Sequence, residues 1–169
     1  MLCGVACLKM ICKYFGREYS SDSLSKLCFA TTEGVSMLGI NETAKTLGIE
    51  TVCAKATPKE LCETPLPCIL HWNQNHFVVL YKVKKGKKFY VADPGKGKTT
   101  YNLEDFKQHW ISTRSNGEDK GIAMFFETTP AFFTYQMEGE ENKKEQRSFK
   151  FLLGYFKKYR KAFSWIVLG

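Results

Sequence analysis

The sequence lacks the features that announce several common functions. Its seven cysteines include no Cys-x-x-Cys pair, and Cys3, Cys7 and Cys12 have three and four residues between them, spacings that do not build a zinc site. An odd cysteine count, with no secretory signal and no small disulfide-rich pattern, indicates reduced thiols in a cytosolic setting. No glycine-rich phosphate loop is present, so no nucleotide site is expected within these residues. The net charge of +8 comes without a helix-turn-helix, zinc-finger or RNA-recognition signature, which argues against nucleic acid as a partner. Internal repeats and low-complexity tracts are also missing. The final apolar run, from Ala162 onward, has eight residues, where a spanning helix needs about 20.

What is there describes a folded domain with an appendage. The 169 residues are 44% hydrophobic and 14% aromatic, enough for a real core, and 25% charged, as in ordinary globular chains. The basic excess is clustered. Six basic residues occur from Arg147 to Lys161 without an acidic one. Lys82, Lys84, Lys85, Lys87 and Lys88 surround Gly86 and read as a solvated hairpin turn.

Val5, Leu8, Ile11, Cys12 and Phe15 follow helical spacing up to Gly16. Ser21-Asp22-Ser23 offers caps for a second helix through Leu24, Leu27 and Cys28, and a third, with Leu38, Ala44 and Leu47, ends at Gly48. The period then changes. Ile49 to Ala54, CILHW, HFVVLYKV, KFYVA and Gly121 to Glu127 read as strands, with a helical turn at Pro58 and a short helix from Leu103 to Trp110 capped by Asn102. Helices first and an antiparallel sheet second make an α+β domain over residues 1–127. A polar linker is expected over 128–147, and a basic amphipathic segment over 148–169.

Three positions have the chemistry of a cysteine nucleophile, its base and the group that orients the base. Cys3 stands where a helix begins, and the helix N-terminus favours a thiolate. Gly4 beside it leaves room for a substrate. Taken alone, Cys3 reads as a structural thiol or as a nucleophile. His76 opens a strand after Asn73-Gln74-Asn75, a rigid place for a base, although a lone histidine of this kind is more often structural. His71 sits on a strand of undecided face, and His109 is expected on the surface at a helix end. Asp93 ends a strand before Pro94-Gly95, as a turn initiator bonding its own backbone or as a partner for His76. Counted from Gly86, His76 lies ten residues before and Asp93 seven after. A turn of uneven length would bring them to the same end of a hairpin.

CGVACLKMICKYFG, GVSMLGI, PLPCILHWNQNHFVVL and YVADPGKGK, in this order, resemble the bacteriocin-processing cysteine peptidases. These are papain-like domains, of family thirty-nine of the cysteine class, fused to the N-terminus of ABC exporters. The resemblance covers roughly residues 1–127 and joins Cys3, His76 and Asp93 into a Cys-His-Asp triad. It implies removal of leader peptides after a Gly-Gly or Gly-Ala pair from precursor peptides, with no cofactor and no metal for the cleavage. ATP would be bound only by transporter parts outside these residues. It also implies a homodimeric full-length transporter, a membrane contact through residues 148–169 leading into a first transmembrane helix, and a place on the cytoplasmic face of the bacterial membrane.

Two departures stand out. Leu2 occupies a position where the family usually has Asp, and the family's oxyanion-stabilising Gln would fall upstream of Met1. Loss of one such donor lowers the rate on the order of 10²–10³. Rival readings are a peptidase-like module that only binds leader peptides, a papain-like amidase, and a basic membrane-surface protein.

Overall fold

The helix read from Val5 to Phe15 is α1, Cys3–Tyr14, and it buries Val5, Cys7, Leu8, Ile11 and Cys12 on one side in a computed structural model that describes residues 2–137. Gly16, at φ +101°, turns the chain away after it. Helix α2, Ser21–Leu27, is capped by Ser20, one residue ahead of the expected cluster; the Ser20 hydroxyl accepts from the Ser23 N–H at 3.0 Å. Helix α3, Met37–Thr46, starts at Ser36, whose hydroxyl accepts from the Gly39 N–H at 3.0 Å. Each cap satisfies an amide that the helix itself leaves without an acceptor.

Seven antiparallel strands follow, β1 (Ile49–Ala56), β2 (Cys68–Trp72), β3 (His76–Lys84), β4 (Lys88–Asp93), β5 (Gly97–Asn102), β6 (Ile111–Ser115) and β7 (Glu118–Thr128). They form one sheet in the order β1-β7-β2-β3-β4-β5, with β6 paired to β7. The short helix α4, Pro58–Cys62, has the reciprocal capping of Thr57 and Glu60. Helix α5, Leu103–Trp110, is capped by Asn102 as expected, with the Asn102 Oδ1 accepting from the Asp105 N–H at 2.9 Å. This is an α+β domain with helices on both sides of the sheet.

The period of two along the strands divides the core. Leu70, Trp72, Val78, Leu80, Phe89 and Val91 face Phe106 and Trp110 of α5 in one apolar cluster. The alternate residues Ile69, Phe77, Val79 and Met124 are buried as well, on the side where α1 crosses β3. Burying a large apolar side chain is worth about 1.5–3 kcal/mol, so both layers hold the sheet strongly.

Three elements and two boundaries differ from the sequence reading. Strands β5 and β6 were not expected, and β7 begins at Glu118 rather than Gly121. The compact unit runs to Tyr135 instead of closing at residue 127. The start of the expected linker forms α6, Pro130–Thr134, and buries Phe132. It docks tightly because Gly48, at φ +86°, has no Cβ; one there would lie 2.3 Å from the Phe132 nitrogen. The Arg17 guanidinium completes the attachment by donating to the carbonyls of Phe132 and Tyr135. The rest of the expected linker from residue 138, and the basic amphipathic segment 148–169, lie outside the described residues. Among the described residues no helix is long and apolar enough to cross a membrane.

Trp110 seats α5. Its ring is fully buried, its Nε1–H donates to the Ile122 carbonyl at 2.9 Å, and a Cβ on Gly121 would lie 2.4 Å from the ring. Gly121→Ala is therefore expected to cost about 1–3 kcal/mol, since a fully packed ring has nowhere to move. Urea denaturation measures this, and an unchanged midpoint would show that the ring is not pressed on the backbone.

Candidate active site

The β3–β4 hairpin positions the first two candidates. Its turn is even about Gly86, with Lys84 paired to Lys88 and Lys85 and Gly86 both at positive φ. The expectation of an uneven turn is thus corrected. The extra residue sits instead in a β-bulge between Leu80 and Lys82. The reason lies in the core: Leu80 belongs to the apolar cluster and Val83 packs against it, although three positions separate them. Regular alternation would send them to opposite faces, and one inserted residue restores both to the same side. Beyond the bulge Val79 pairs with Ala92, so His76 and Asp93 end neighbouring strands together.

The His76 Nε2 lies 2.9 Å from the Asp93 Oδ1. An ionised carboxylate only accepts, so Nε2–H is the donor, and in the neutral ring Nδ1 keeps its lone pair for another proton. Asp93 is 5% exposed and the His76 side chain 22%, a buried acid beneath a base that reaches the surface. The same Oδ1 accepts the Gly95 N–H at 2.7 Å. Asp93 therefore has both of the roles its sequence allowed, turn initiator and histidine partner. Burial pushes its carboxyl up, but the hydrogen bond from His76, the Gly95 amide, the charge of His76 and the Lys96 amide together hold it below the ordinary value.

Cys3 is the first residue of α1, and the first helical bond runs from the Ala6 N–H to the Leu2 carbonyl at 3.0 Å. The amides of this first turn have no acceptor within the helix. Leu2 is the cap residue and makes no side-chain cap. It adds neither an oxygen nor a negative charge beside the sulfur.

Packing brings the first turn of α1 against β3. A Cβ on Gly4 would lie 3.0 Å from the Ile40 side chain and 3.4 Å from Phe77, so glycine lets α1 close onto the strand that opens with His76. Burial pushes the Cys7 thiol well up, and the charges of Cys3 and Asp93 push it further; both groups thus lie within electrostatic reach of one buried sulfur. Cys12 is pushed up to about 12, mainly by burial, and burial also raises Cys28, Cys53, Cys62 and Cys68. These six remain thiols at neutral pH.

The other two histidines stand apart from the pair. His71 packs its ring on Phe77. His109, expected on the surface, is partly buried with its ring stacked on Trp72 at 5.1 Å. Alternation marks Phe77 as buried, but nothing in the sequence says that it and Ile40 form the wall against Gly4. Among the described residues no group of three or more His, Cys, Asp or Glu gathers to hold a metal ion.

The depressed Asp93 carboxyl has a pH consequence. Its contribution to stability is complete above the unfolded carboxyl value of about 3.9 and disappears as pH falls through the lower folded value. Thermal melts of the native chain and Asp93→Asn should therefore differ most at neutral pH and converge in acid. A constant gap down to the acid limit would remove the charge from the account.

A family model described as "Peptidase C39 family" matches residues 1–114. The chain is 36% identical over 108 residues to the probable microcin-H47 secretion/processing ATP-binding protein MchF of Escherichia coli, and 38% identical over 114 residues to the lactococcin-G-processing and transport ATP-binding protein LagD of Lactococcus lactis. Each match covers 64% of this chain, which spans only 15% and 16% of those relatives. Among solved structures, a double glycine motif protease from an AMS/PCAT transporter in complex with the leader peptide is 31% identical, with a TM-score of 0.66 over 76% of this chain and 85% of that one. The peptidase domain of Streptococcus ComA is 28% identical, with a TM-score of 0.62 over 75% of this chain and 91% of that one. With well over half its length under one family model, the chain belongs to the Peptidase C39 family of cysteine peptidases.

Proposed function

We propose that this domain cleaves leader peptides from precursor peptides after a Gly-Gly or Gly-Ala pair, with Cys3 as nucleophile, His76 as proton shuttle and Asp93 as the group that orients His76. The observation that carries this reading is the 2.9 Å His76–Asp93 bond, made at the end of the strand on which α1 packs. The double glycine motif protease with its leader peptide, and relatives named for secretion and processing, support the substrate class.

In this mechanism His76 Nδ1 takes the Cys3 proton as the sulfur attacks the carbonyl carbon after the second glycine. The carbonyl π electrons move to oxygen, where amides of the first turn of α1 favour the negative charge. As the C–N bond breaks, the imidazolium gives its proton to the leaving amine, and the leader remains as a thioester on Cys3. A water, losing a proton to His76, then attacks the thioester and releases the leader acid and the thiol. Asp93 stays ionised throughout and stabilises the imidazolium in both half-reactions. Side chains and water suffice for the cleavage.

A narrow cleft accounts for glycine by excluding side chains. In the whole protein, the cleavage would occur on the cytoplasmic face of the bacterial membrane and feed an ATP-driven, homodimeric ABC exporter.

The test is mass-spectrometric cleavage of a synthetic precursor carrying a Gly-Gly leader. Cys3→Ala should abolish product, Asp93→Asn should lower kcat by about 10²–10⁴, and Cys7→Ala should lower stability while keeping turnover. Equal loss from Cys3→Ala and Cys7→Ala would sink the assignment of the nucleophile.

A further inference from the structure

His76 hangs from a short and unusual turn. Trp72, the last residue of β2, pairs with His76, the first of β3, so only Asn73, Gln74 and Asn75 connect them. Asn73 and Gln74 both have positive φ, 48° and 62°. Asn tolerates this region better than most residues, and Gln has no such excuse. A turn of this kind persists when its surroundings over-determine it.

The end of α5 supplies that restraint. The Asn73 N–H donates to the His109 carbonyl at 2.9 Å, and the His109 Nδ1–H donates back to the Asn73 Oδ1 at 2.8 Å. The His109 ring also lies flat on Trp72, with centroids 5.1 Å apart and planes 15° apart. Tyr101 meets both rings edge-on at 5.4 Å. Helix α5 is itself fixed, by Phe106 stacked on Phe89 at 4.1 Å and by Trp110 bonded to the Ile122 carbonyl. His109 thus grips the turn at its backbone, at its side chain and at the residue paired with His76.

We propose that His109 is a positioning residue of the peptidase, holding the β2–β3 turn through Asn73 and Trp72 so that His76 keeps its orientation toward Asp93 and Cys3. This rests on the proposed cleavage reaction. Asp93 is held from its own side by the Gly95 amide. Without His109 the pair keeps one fixed member and one hanging from a strained turn. Small displacements of a reacting group lower turnover more than substrate binding.

The experiment compares His109→Phe, which keeps a ring on Trp72 but loses the donor, with His109→Asn, which puts an amide donor where Nδ1 stood. His109→Phe should lower kcat about 10-fold with KM within about twofold, and His109→Asn should recover most of the loss. The NMR signal of the His76 Nε2 proton should shift or broaden in His109→Phe and return in His109→Asn. A folded His109→Phe with native kcat and an unmoved His76 signal would overturn the proposal. If His109→Phe does not fold, Asn73→Gly removes the acceptor while accepting the positive φ; the same loss of kcat supports the proposal, and native kcat overturns it. If the native chain cleaves no Gly-Gly precursor, the peptidase reading fails, and the His76 signal alone decides on the turn: moved in support, unmoved against.

Discussion

The register of β3 against β4 is the constraint on which the site depends, and core packing sets it. In an antiparallel pair, a slip of one residue sends every side chain of a strand to the opposite face. Leu80 and Val83 both have to reach the cluster around Phe89 and Phe106, and the bulge between Leu80 and Lys82 reconciles them. His76 and Asp93 inherit their meeting from this adjustment. A regular hairpin with the same turn would have kept either Val83 or the stretch from His76 to Leu80 on the wrong side.

Burial then sorts chemistry that the residue types alone leave undivided. Seven thiols lie on one chain; Cys7, Cys12, Cys28 and Cys68 are buried and pushed toward the protonated form by apolar surroundings. Cys3 instead begins a helix and is only partly buried. Asp93 is buried like those four thiols yet stays an anion, because His76 and the Gly95 amide both donate to its Oδ1. Low exposure therefore silences a thiol without hydrogen bonds to its anion and retains a carboxylate that has them.

Much of this was legible in the sequence, and the limits have physical causes. Apolar spacing gave α1, Asn102 marked the start of α5, and the β-branched and aromatic runs gave β2, β3 and β4. Counting from Gly86 brought His76 near Asp93 without the bulge, because a bulge is decided by what a strand packs on. Strands β5 and β6 went unread because their side chains are largely polar and none is fully buried; pairing with a neighbour makes them strands. Helix α6 has five residues and exists through docking against Gly48. The contact between His109 and Asn73 spans 36 positions, and no local pattern encodes it.

The attachment of α6 also has a mechanical meaning. The sequence continues past Tyr135, and the last carbonyls of the compact unit are gripped by Arg17, whose guanidinium also lies 5.1 Å from the Tyr19 ring centre and 6.0 Å from that of Phe132. Tension on the downstream chain falls first on this guanidinium and on the buried Phe132, before it reaches β7. Arg17 stands just beyond the C-terminal end of α1, and its own N–H bonds back to the Cys12 carbonyl at 3.0 Å. Helix α1 is about 18 Å long at 1.5 Å per residue, with Cys3 at its far end. The tether and the sulfur are thus mounted on opposite ends of one rigid rod.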